Sequence, residues 1–211
     1  MSVLQELSLN VEKGKRKLVP GLVQQALDEG IDPNVILNEG MIDAMSRVGE
    51  AFRNGKIFVP EMLIAAKAMQ AGVATLKPAL AAGGAVSRGK IILGTVAGDL
   101  HDIGKNLVGM MLESAGFEVI DLGVDVADEV FLETYDKNPD TKIICLSALL
   151  TTTMPAMRSA VAKINAAPWR SKVKVMVGGA PITQAFCDEI GADCYTADAA
   201  SAAEAAKKLA E

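Results

Sequence analysis

The sequence is poor in the residue types on which most metal sites and disulfide frameworks depend. Its 211 residues include one histidine, His101, and three cysteines, and only 4% of them are aromatic. A zinc site needs several histidine or cysteine ligands, so a single histidine argues against one. The cysteines, at positions 145, 187 and 194, form no CxxC pair, and their odd number argues against a disulfide framework. We therefore expect reduced thiols in a cytoplasmic protein.

An excess of positive charge and long apolar runs are also missing. The formal net charge is -5, whereas proteins that bind nucleic acid usually carry a basic face. Half of the residues are apolar, but no run approaches the roughly 20 residues that cross a bilayer. Residues 1–6 also lack the basic and then apolar pattern of a secretory signal. We expect neither a nucleic acid nor a membrane among the partners.

Residues 1–82 carry a helical pattern without a convincing strand. Apolar residues recur at roughly helical spacing, and Asp32-Pro33 is a strong start signal, with Asp as the N-cap and Pro at the first helical position. Four helices with short connections predict an antiparallel four-helix bundle. The predicted helices cover residues 2–11, 17–29 and 33–53 and a stretch that begins at Pro60.

Residues 83–89 are small and glycine-rich and predict a linker. In residues 90–211 apolar strands alternate with helices, which predicts a five-stranded parallel sheet covered on both faces. The expected fold class is therefore α plus α/β, a helical bundle followed by a flavodoxin-like (Rossmann-type) domain. The predicted strands are 90–96, 117–121, 142–147, 172–177 and 194–195, and the predicted helices are 104–115, 127–135, 154–166, 183–190 and 199–210.

Three unusual loops follow strands of this predicted sheet. His101 comes after the first strand, Ser147 ends the third, and Gly178-Gly179 follows the fourth. Ligands of parallel sheets bind beyond the carboxyl ends of the strands. A neutral imidazole can offer one nitrogen to a metal while the other donates to a carboxylate, and Asp99 lies two residues before His101. The loop therefore predicts a metal ligand.

Other interpretations of the Asp99–Gly104 loop remain open. It can be a turn with a solvated histidine and a capping aspartate. A phosphate loop fits poorly, because Gly98 precedes Gly104 by one residue too many and Asn106 stands where Ser or Thr is required. No GxGxxG follows the first strand, which argues against a dinucleotide site. One imidazole suits a metal that a macrocycle already holds, as in haem or a corrinoid.

The three loops together resemble the cobalamin-binding domain of methionine synthase and of the corrinoid methyl carriers. The signature is Asp99-x-His101-x-x-Gly104, then Ser147-x-Leu149, then Gly178-Gly179. The helical half resembles the four-helix cap of the same methyl carriers, through Gly49-x-x-Phe52-x-x-Gly55-Lys56-x-Phe58-Val59-Pro60 and Ala65-Ala66-x-Ala68-Met69. Together the two resemblances span nearly the whole chain.

The resemblance assigns roles to the residues below the corrin ring. It implies that His101 displaces the benzimidazole of cobalamin and becomes the lower ligand of cobalt, the metal. Asp99 would accept a hydrogen bond from the other ring nitrogen, and Thr153 would complete the chain of hydrogen bonds, with Thr151 beside it. Such a relay links the proton state of the imidazole and carboxylate to the coordination of the cobalt.

The resemblance also implies contacts with the displaced nucleotide tail and the upper face of the ring. Glycines let backbone approach the tail closely, although Gly178-Gly179 can also be an ordinary tight turn. Apolar residues of the helical half would cover the methyl group, although side chains at that spacing are more often core. The implied contacts are Asp102, Ile103, Gly104, Ser147, Leu149, Gly178 and Gly179 for the ring and tail, and Phe52, Val59 and Met62 for the upper face.

The function implied is that of a corrinoid shuttle protein, a carrier subunit without catalysis of its own. Its cofactor would be cobalamin or a related corrinoid. Its partners would be a substrate methyltransferase for methanol, methylamines or methoxylated aromatics (the O-demethylase type), an acceptor methyltransferase using tetrahydrofolate or coenzyme M, and a reductive activator. The alternatives are a cobalamin-dependent sensor, an adenosylcobalamin mutase subunit and a flavodoxin-like module without cofactor.

Overall fold

A computed structural model describes the backbone of residues 2–83 and 87–211 and the side chains of 2–80 and 87–211. The chain forms two compact units: residues up to 83, with Ser114–Gly116, and the remaining residues from Ser87 onward. Residues 84–86 of the predicted linker lie outside the described residues, and Gly83 is the last residue of a helix. The domain boundaries at 82 and 90 therefore stay a prediction.

The first unit is helical, as predicted. Helix α1 begins after Ser2, whose hydroxyl accepts from the Gln5 amide while the Gln5 side chain accepts from the Ser2 amide. The Asp32 carboxylate caps the third helical segment by accepting from the Asn34 amide at 2.8 Å, which confirms the predicted start. The helices are α1 (Val3–Glu12), α2 (Val19–Asp28), α3 (Pro33–Val35), α4 (Asp43–Arg53) and α5 (Val59–Gly83).

The segment between α3 and α4 differs from the prediction. Residues Ile36–Ile42 form a π-helical stretch of seven residues, so the helical path from Pro33 to Arg53 is continuous but not α-helical throughout. Apolar spacing predicts a helical path and does not distinguish the hydrogen-bond pattern of an α-helix from that of a π-helix. The sequence therefore gave no signal for this change.

The second unit is the predicted parallel sheet with alternating helices. Its five strands run parallel in the order β2-β1-β3-β4-β5. The strands are β1 (Lys90–Thr95), β2 (Glu118–Asp121), β3 (Thr141–Ser147), β4 (Lys174–Gly178) and β5 (Cys194–Tyr195), and the helices are α6 (Ile103–Ser114), α7 (Asp128–Lys137), α8 (Met154–Ala166), α9 (Gln184–Ile190) and α10 (Ala199–Leu209).

The strand order places the topological switch point between β1 and β3. After β1 the chain forms β2 on one side of it, and then crosses to form β3 on the other side. In register, Thr95 of β1 pairs with Ser147 of β3, which pairs with Gly178 of β4. The three strands thus end at one level, and the loops that follow them meet at one edge of the sheet.

No helix within residues 2–83 and 87–211 is both long enough and apolar enough to span a bilayer.

Candidate functional site

The site is organised around the Asp99 carboxylate, which is fully buried and accepts four hydrogen bonds. Its Oδ1 atom lies 2.7 Å from Nδ1 of His101 and 3.0 Å from the His101 amide nitrogen. Its Oδ2 atom accepts from the Leu149 amide at 2.7 Å and from the Thr153 hydroxyl at 2.8 Å. The loop after β1 and the loop after β3 are therefore joined through one carboxylate.

The surroundings of Asp99 keep it ionised. Burial alone raises the pKa of Asp99, but the hydrogen bonds from the amides of Leu149 and His101, the Thr153 hydroxyl and the imidazole outweigh it. The pKa of Asp99 is therefore held well below its ordinary value. An ionised carboxylate can only accept hydrogen bonds. Nδ1 of His101 must therefore carry the proton that it shares with Asp99.

The His101 side chain is half exposed at 49%, in contrast to the Asp99 side chain at 0%. With Nδ1 protonated and bonded to Asp99, the lone pair of the neutral imidazole is on Nε2. A carboxylate behind a histidine fixes its tautomer and orientation and raises the basicity of the free nitrogen. The pair therefore presents one well-oriented nitrogen ligand at the carboxyl edge of the sheet.

Apolar side chains around this pair are left in solvent. Leu100 is 72% exposed and Ile103 82%, and both flank His101 in sequence, while Leu149 and Leu150, at 41% each, follow β3. Isolated exposed apolar residues are ordinary, but several on loops joined by one carboxylate indicate a binding surface. We name these four residues the apolar rim.

The glycines of these loops differ in the space that surrounds them. A Cβ on Gly179, where φ is +129°, would lie 1.8 Å from the Ala148 carbonyl oxygen, and one on Gly178 would lie 3.4 Å from the Thr196 carbonyl oxygen. A Cβ on Gly104 would meet nothing within 4 Å. Packing within the protein accounts for Gly179, whereas the space beside Gly104 remains free for a ligand.

The structure separates the neighbouring threonines of the β3–α8 loop. Thr153 is buried and bonds to Asp99, while Thr151 is exposed and begins a short 3-10 turn. Leu149 contributes its backbone amide to the site. The Ser147 carbonyl accepts from the Val96 amide at 3.0 Å, within the sheet.

The remaining predicted residues are placed as follows. Asp102 is exposed, and its carboxylate accepts from the Asn106 side chain at 3.1 Å in the first turn of α6. In the helical unit, Val59 is 38% exposed, Phe52 is partly exposed and Met62 is fully buried. A fully buried Met62 is what the core alternative expects, and the role of all three toward a ligand stays a prediction.

One cluster at the site had no sequence signal. The Lys105 side chain in α6 is 1% exposed, and its Nζ lies 2.6 and 2.5 Å from the two carboxylate oxygens of Asp121, at the end of β2. Nζ also donates to the Asn106 side chain at 2.8 Å. This ion pair fixes the start of α6, next to the His101 loop, to the edge of the sheet.

The residues described by the structure include no group of three or more His, Cys, Asp or Glu side chains placed to hold a metal ion. His101 thus offers a single nitrogen, which suits a metal whose other ligands come from a macrocycle. The apolar rim and the free space beside Gly104 suit the flat apolar body of such a macrocycle. The residues present therefore fit a corrinoid.

Comparison with known proteins gives the same class. A family described as B12 binding domain matches residues 89–207, and a second family of that description matches residues 3–77. The chain belongs to the corrinoid proteins of the B12-binding family, and its cofactor is cobalamin or a related corrinoid.

Relatives match nearly the whole chain. Dimethylamine corrinoid protein 1 of Methanosarcina acetivorans is 46% identical over 98% of this chain and 97% of its own length. The crystal structure of a cobalamin-binding protein from Desulfitobacterium hafniense matches with a TM-score of 0.81, 31% identity and 98% coverage of both chains. A chain of the methanol:cobalamin methyltransferase complex of Methanosarcina barkeri matches with a TM-score of 0.84 and 28% identity, over 99% of this chain and 79% of that one.

Proposed function

We propose that this protein carries a methyl group between two methyltransferases, and that the first of them uses a methylamine, with dimethylamine as the favoured substrate. The Asp99–His101 pair is the observation that carries the proposal, because it presents one oriented nitrogen to a metal. Relatives named dimethylamine corrinoid proteins, 44 to 46% identical over 98% of the chain, support the choice of substrate.

His101 would be the lower ligand of the cobalt through Nε2. The corrinoid, when bound, supplies a cobalt centre that accepts a methyl group and gives it up. Asp99 keeps the proton at Nδ1 and so makes Nε2 a stronger donor. Asp99 would keep its hydrogen bond to Nδ1 whether Nε2 is bound to the cobalt or released. The Thr153 hydroxyl and the Leu149 amide would hold the Asp99 carboxylate in place both when His101 is bound to the cobalt and when it is released.

The apolar rim and the loop glycines would form the remainder of the cofactor site. Ile103 and Leu150 would lose exposed apolar surface against the ring, at about 25 cal/mol per Å². Gly104 would leave room for the cofactor. The nucleotide tail would pass along Ser147, Leu149 and the Gly178-Gly179 turn.

On the methyl side we propose Phe52 and Val59, together with the buried Met62. Apolar groups there would exclude water from the reactive centre. The acceptor methyltransferase would use coenzyme M or tetrahydrofolate, and a reductive activator would restore cobalt that has become oxidised.

The test is the rate at which the corrinoid-loaded protein is methylated. The loaded, reduced protein is mixed with dimethylamine and a dimethylamine methyltransferase, and in parallel with methanol or a methoxylated aromatic and the corresponding methyltransferases. Methylation is followed by the absorption of the corrinoid. We expect dimethylamine to give a rate at least tenfold above the other two. A faster rate with methanol or a methoxylated aromatic would overturn the substrate assignment, and no methylation by any of them would favour the sensor alternative.

A further inference from the structure

Asp125 has an unusual backbone conformation in the connection between β2 and α7. Its φ angle is 53°, and within residues 2–83 and 87–211 it is the one non-glycine residue with a positive φ. The left-handed region is unfavourable for an L-residue, and Asp and Asn tolerate it best. Residues kept in this region need compensating contacts, and such residues concentrate at functional sites.

The compensating contacts of Asp125 all go to the loop that carries Asp99. The Asp125 amide donates to the Asp99 carbonyl at 2.9 Å, and the Asp125 carboxylate accepts from the Gly98 amide at 2.7 Å. One residue thereby fixes the peptide groups on both sides of the Gly98–Asp99 segment. Next to it, the Val126 amide donates to the Thr95 carbonyl at 3.0 Å.

These contacts complement those that hold the Asp99 side chain. The loop after β3 holds the Asp99 carboxylate through Leu149 and Thr153. The Asp99 backbone is held by Asp125 and by the Val96 carbonyl, which accepts from the Asp99 amide at 3.1 Å. A carboxylate that serves four donors requires a fixed Cα position as well as fixed partners. Loss of the backbone contacts would let Asp99 turn away from Nδ1 of His101.

We propose that Asp125 is a positioning residue of the corrinoid site, which holds the Gly98–Asp99 segment so that Asp99 fixes the tautomer and orientation of His101. Asp125 touches neither His101 nor the cofactor in this scheme and acts through Asp99. The inference deepens the proposed function and rests on it for its effect on cobalt. The effect on the imidazole itself does not depend on a cofactor.

Three substitutions separate the parts of this role. Asp125→Asn keeps both an acceptor oxygen and tolerance of the left-handed conformation. Asp125→Gly keeps the conformation and loses the acceptor, and Asp125→Ala loses both. Glu133→Gln is the matched control, because it removes an exposed carboxylate of α7 that pairs with Lys137, at 4.0 Å.

The first readout uses the protein without cofactor. Because the chain has one histidine, the imidazole 15N shifts report His101 alone, at a pH where the ring is neutral. We expect the ratio of the Nδ1–H to the Nε2–H tautomer to fall about fivefold in the Ala and Gly variants, which corresponds to the net contribution of one hydrogen bond. The ratio should be unchanged in Asp125→Asn and in the control.

The second readout is the fraction of bound corrinoid that is ligated by His101, from the electron paramagnetic resonance spectrum of the cobalt(II) form. We expect a lower fraction in the Ala and Gly variants, with rescue by Asn. An unchanged tautomer ratio in folded Asp125→Gly would overturn the proposal, as would an equal loss in Asn and Ala. Absence of histidine ligation in the unmodified protein would instead refute the proposed function, and the tautomer ratio would still decide the role of Asp125.

Discussion

The Asp99 site at the carboxyl end of the sheet and the Tyr135–Trp169 cluster at its amino end differ in the side chains that they bury. At the carboxyl end the polar Asp99 and Thr153 are buried while Ile103 is 82% exposed. At the amino end Tyr135 is 2% exposed and stacks on Trp169, with ring centroids 3.9 Å apart. The Trp169 indole N–H donates to the Asp136 carboxylate, which lies at the surface. At the amino end the large side chains have partners within the protein. At the carboxyl end a large apolar side chain is left in solvent, as expected of a ligand site.

The glycines and charged residues at the carboxyl end fall into two groups: some are required by packing within the protein, and others face solvent or free space. Gly179 is required by the neighbouring Ala148 backbone, while Gly104 has free space around it. The Lys105 amine is buried against Asp121 and belongs to the framework, while His101 stays half exposed. Substitutions can therefore separate the framework residues from the ligand-facing ones.

The two glycines should respond differently to alanine. Gly179→Ala places a Cβ against a carbonyl oxygen at a φ that excludes side chains, so we expect a loss of about 4 kcal/mol in the free energy of unfolding, or failure to fold. Gly104→Ala should leave that free energy unchanged or raise it slightly, since alanine favours a helix. It should nevertheless weaken corrinoid binding. Chemical denaturation and corrinoid titration measure the pair, and undiminished corrinoid binding by Gly104→Ala would remove this glycine from the site.

Removing either partner of the Lys105–Asp121 pair should lower the free energy of unfolding by a different amount. Asp121→Ala leaves a buried ammonium without its carboxylate, and we expect a loss of about 3 kcal/mol in the free energy of unfolding. Lys105→Met leaves the Asp121 carboxylate without its partner, but this carboxylate is 45% exposed and can be hydrated. We therefore expect a loss of only about 1 kcal/mol in the free energy of unfolding. Urea denaturation of both variants checks the order, and the reverse order would contradict the burial assigned to Lys105.

The buried carboxylate should make stability depend on pH. Because the pKa of Asp99 is lowered in the folded state, its contribution is complete above the ordinary carboxyl range and is lost as the pH falls through the folded pKa. The difference in free energy of unfolding between the unmodified protein and Asp99→Asn should therefore be about 1 kcal/mol smaller at pH 3 than at pH 7. Asp102→Asn, an exposed aspartate of the same loop, is the control. A pH-independent difference would argue against a buried ionised Asp99.

The amino end should tolerate change without affecting the site. Trp169→Ala removes the stack on Tyr135 and the bond to Asp136, and we expect a loss of about 1.5 kcal/mol in the free energy of unfolding. Corrinoid affinity should remain within twofold of the unmodified protein. A larger change in affinity would mean that the two ends of the sheet are coupled.

The fold follows closely from local patterns in the sequence. Apolar strands and helical spacing predicted all five strands and the order of the elements, because burial on both faces of a sheet imposes continuous apolar runs. The convergence of the three loops followed from the rule for parallel sheets. The π-helical stretch at Ile36–Ile42 could not be predicted, since its hydrogen bonds leave no separate trace in the spacing of apolar residues.

The site was predictable only where a motif marks it. The short spacing of Asp99 and His101 indicated the pair, and Thr153 was chosen over the neighbouring Thr151 only through the family resemblance, because both lie in the turn after β3. The roles of Lys105 and Asp125 depend on partners far along the chain, such as Asp121 for Lys105. Charged residues of these types are usually solvated, so nothing local distinguished them.

One spectrum tests whether His101 ligates the cobalt. The protein is produced with 15N only in histidine, loaded with a cobalamin whose nitrogens are 14N, and reduced to cobalt(II). Because the chain has a single histidine, a lower ligand from His101 must split the electron paramagnetic resonance lines into doublets. Triplets would show that the base of the cofactor remains bound to the metal, and unsplit lines would show that no nitrogen is bound. Either result would contradict the account.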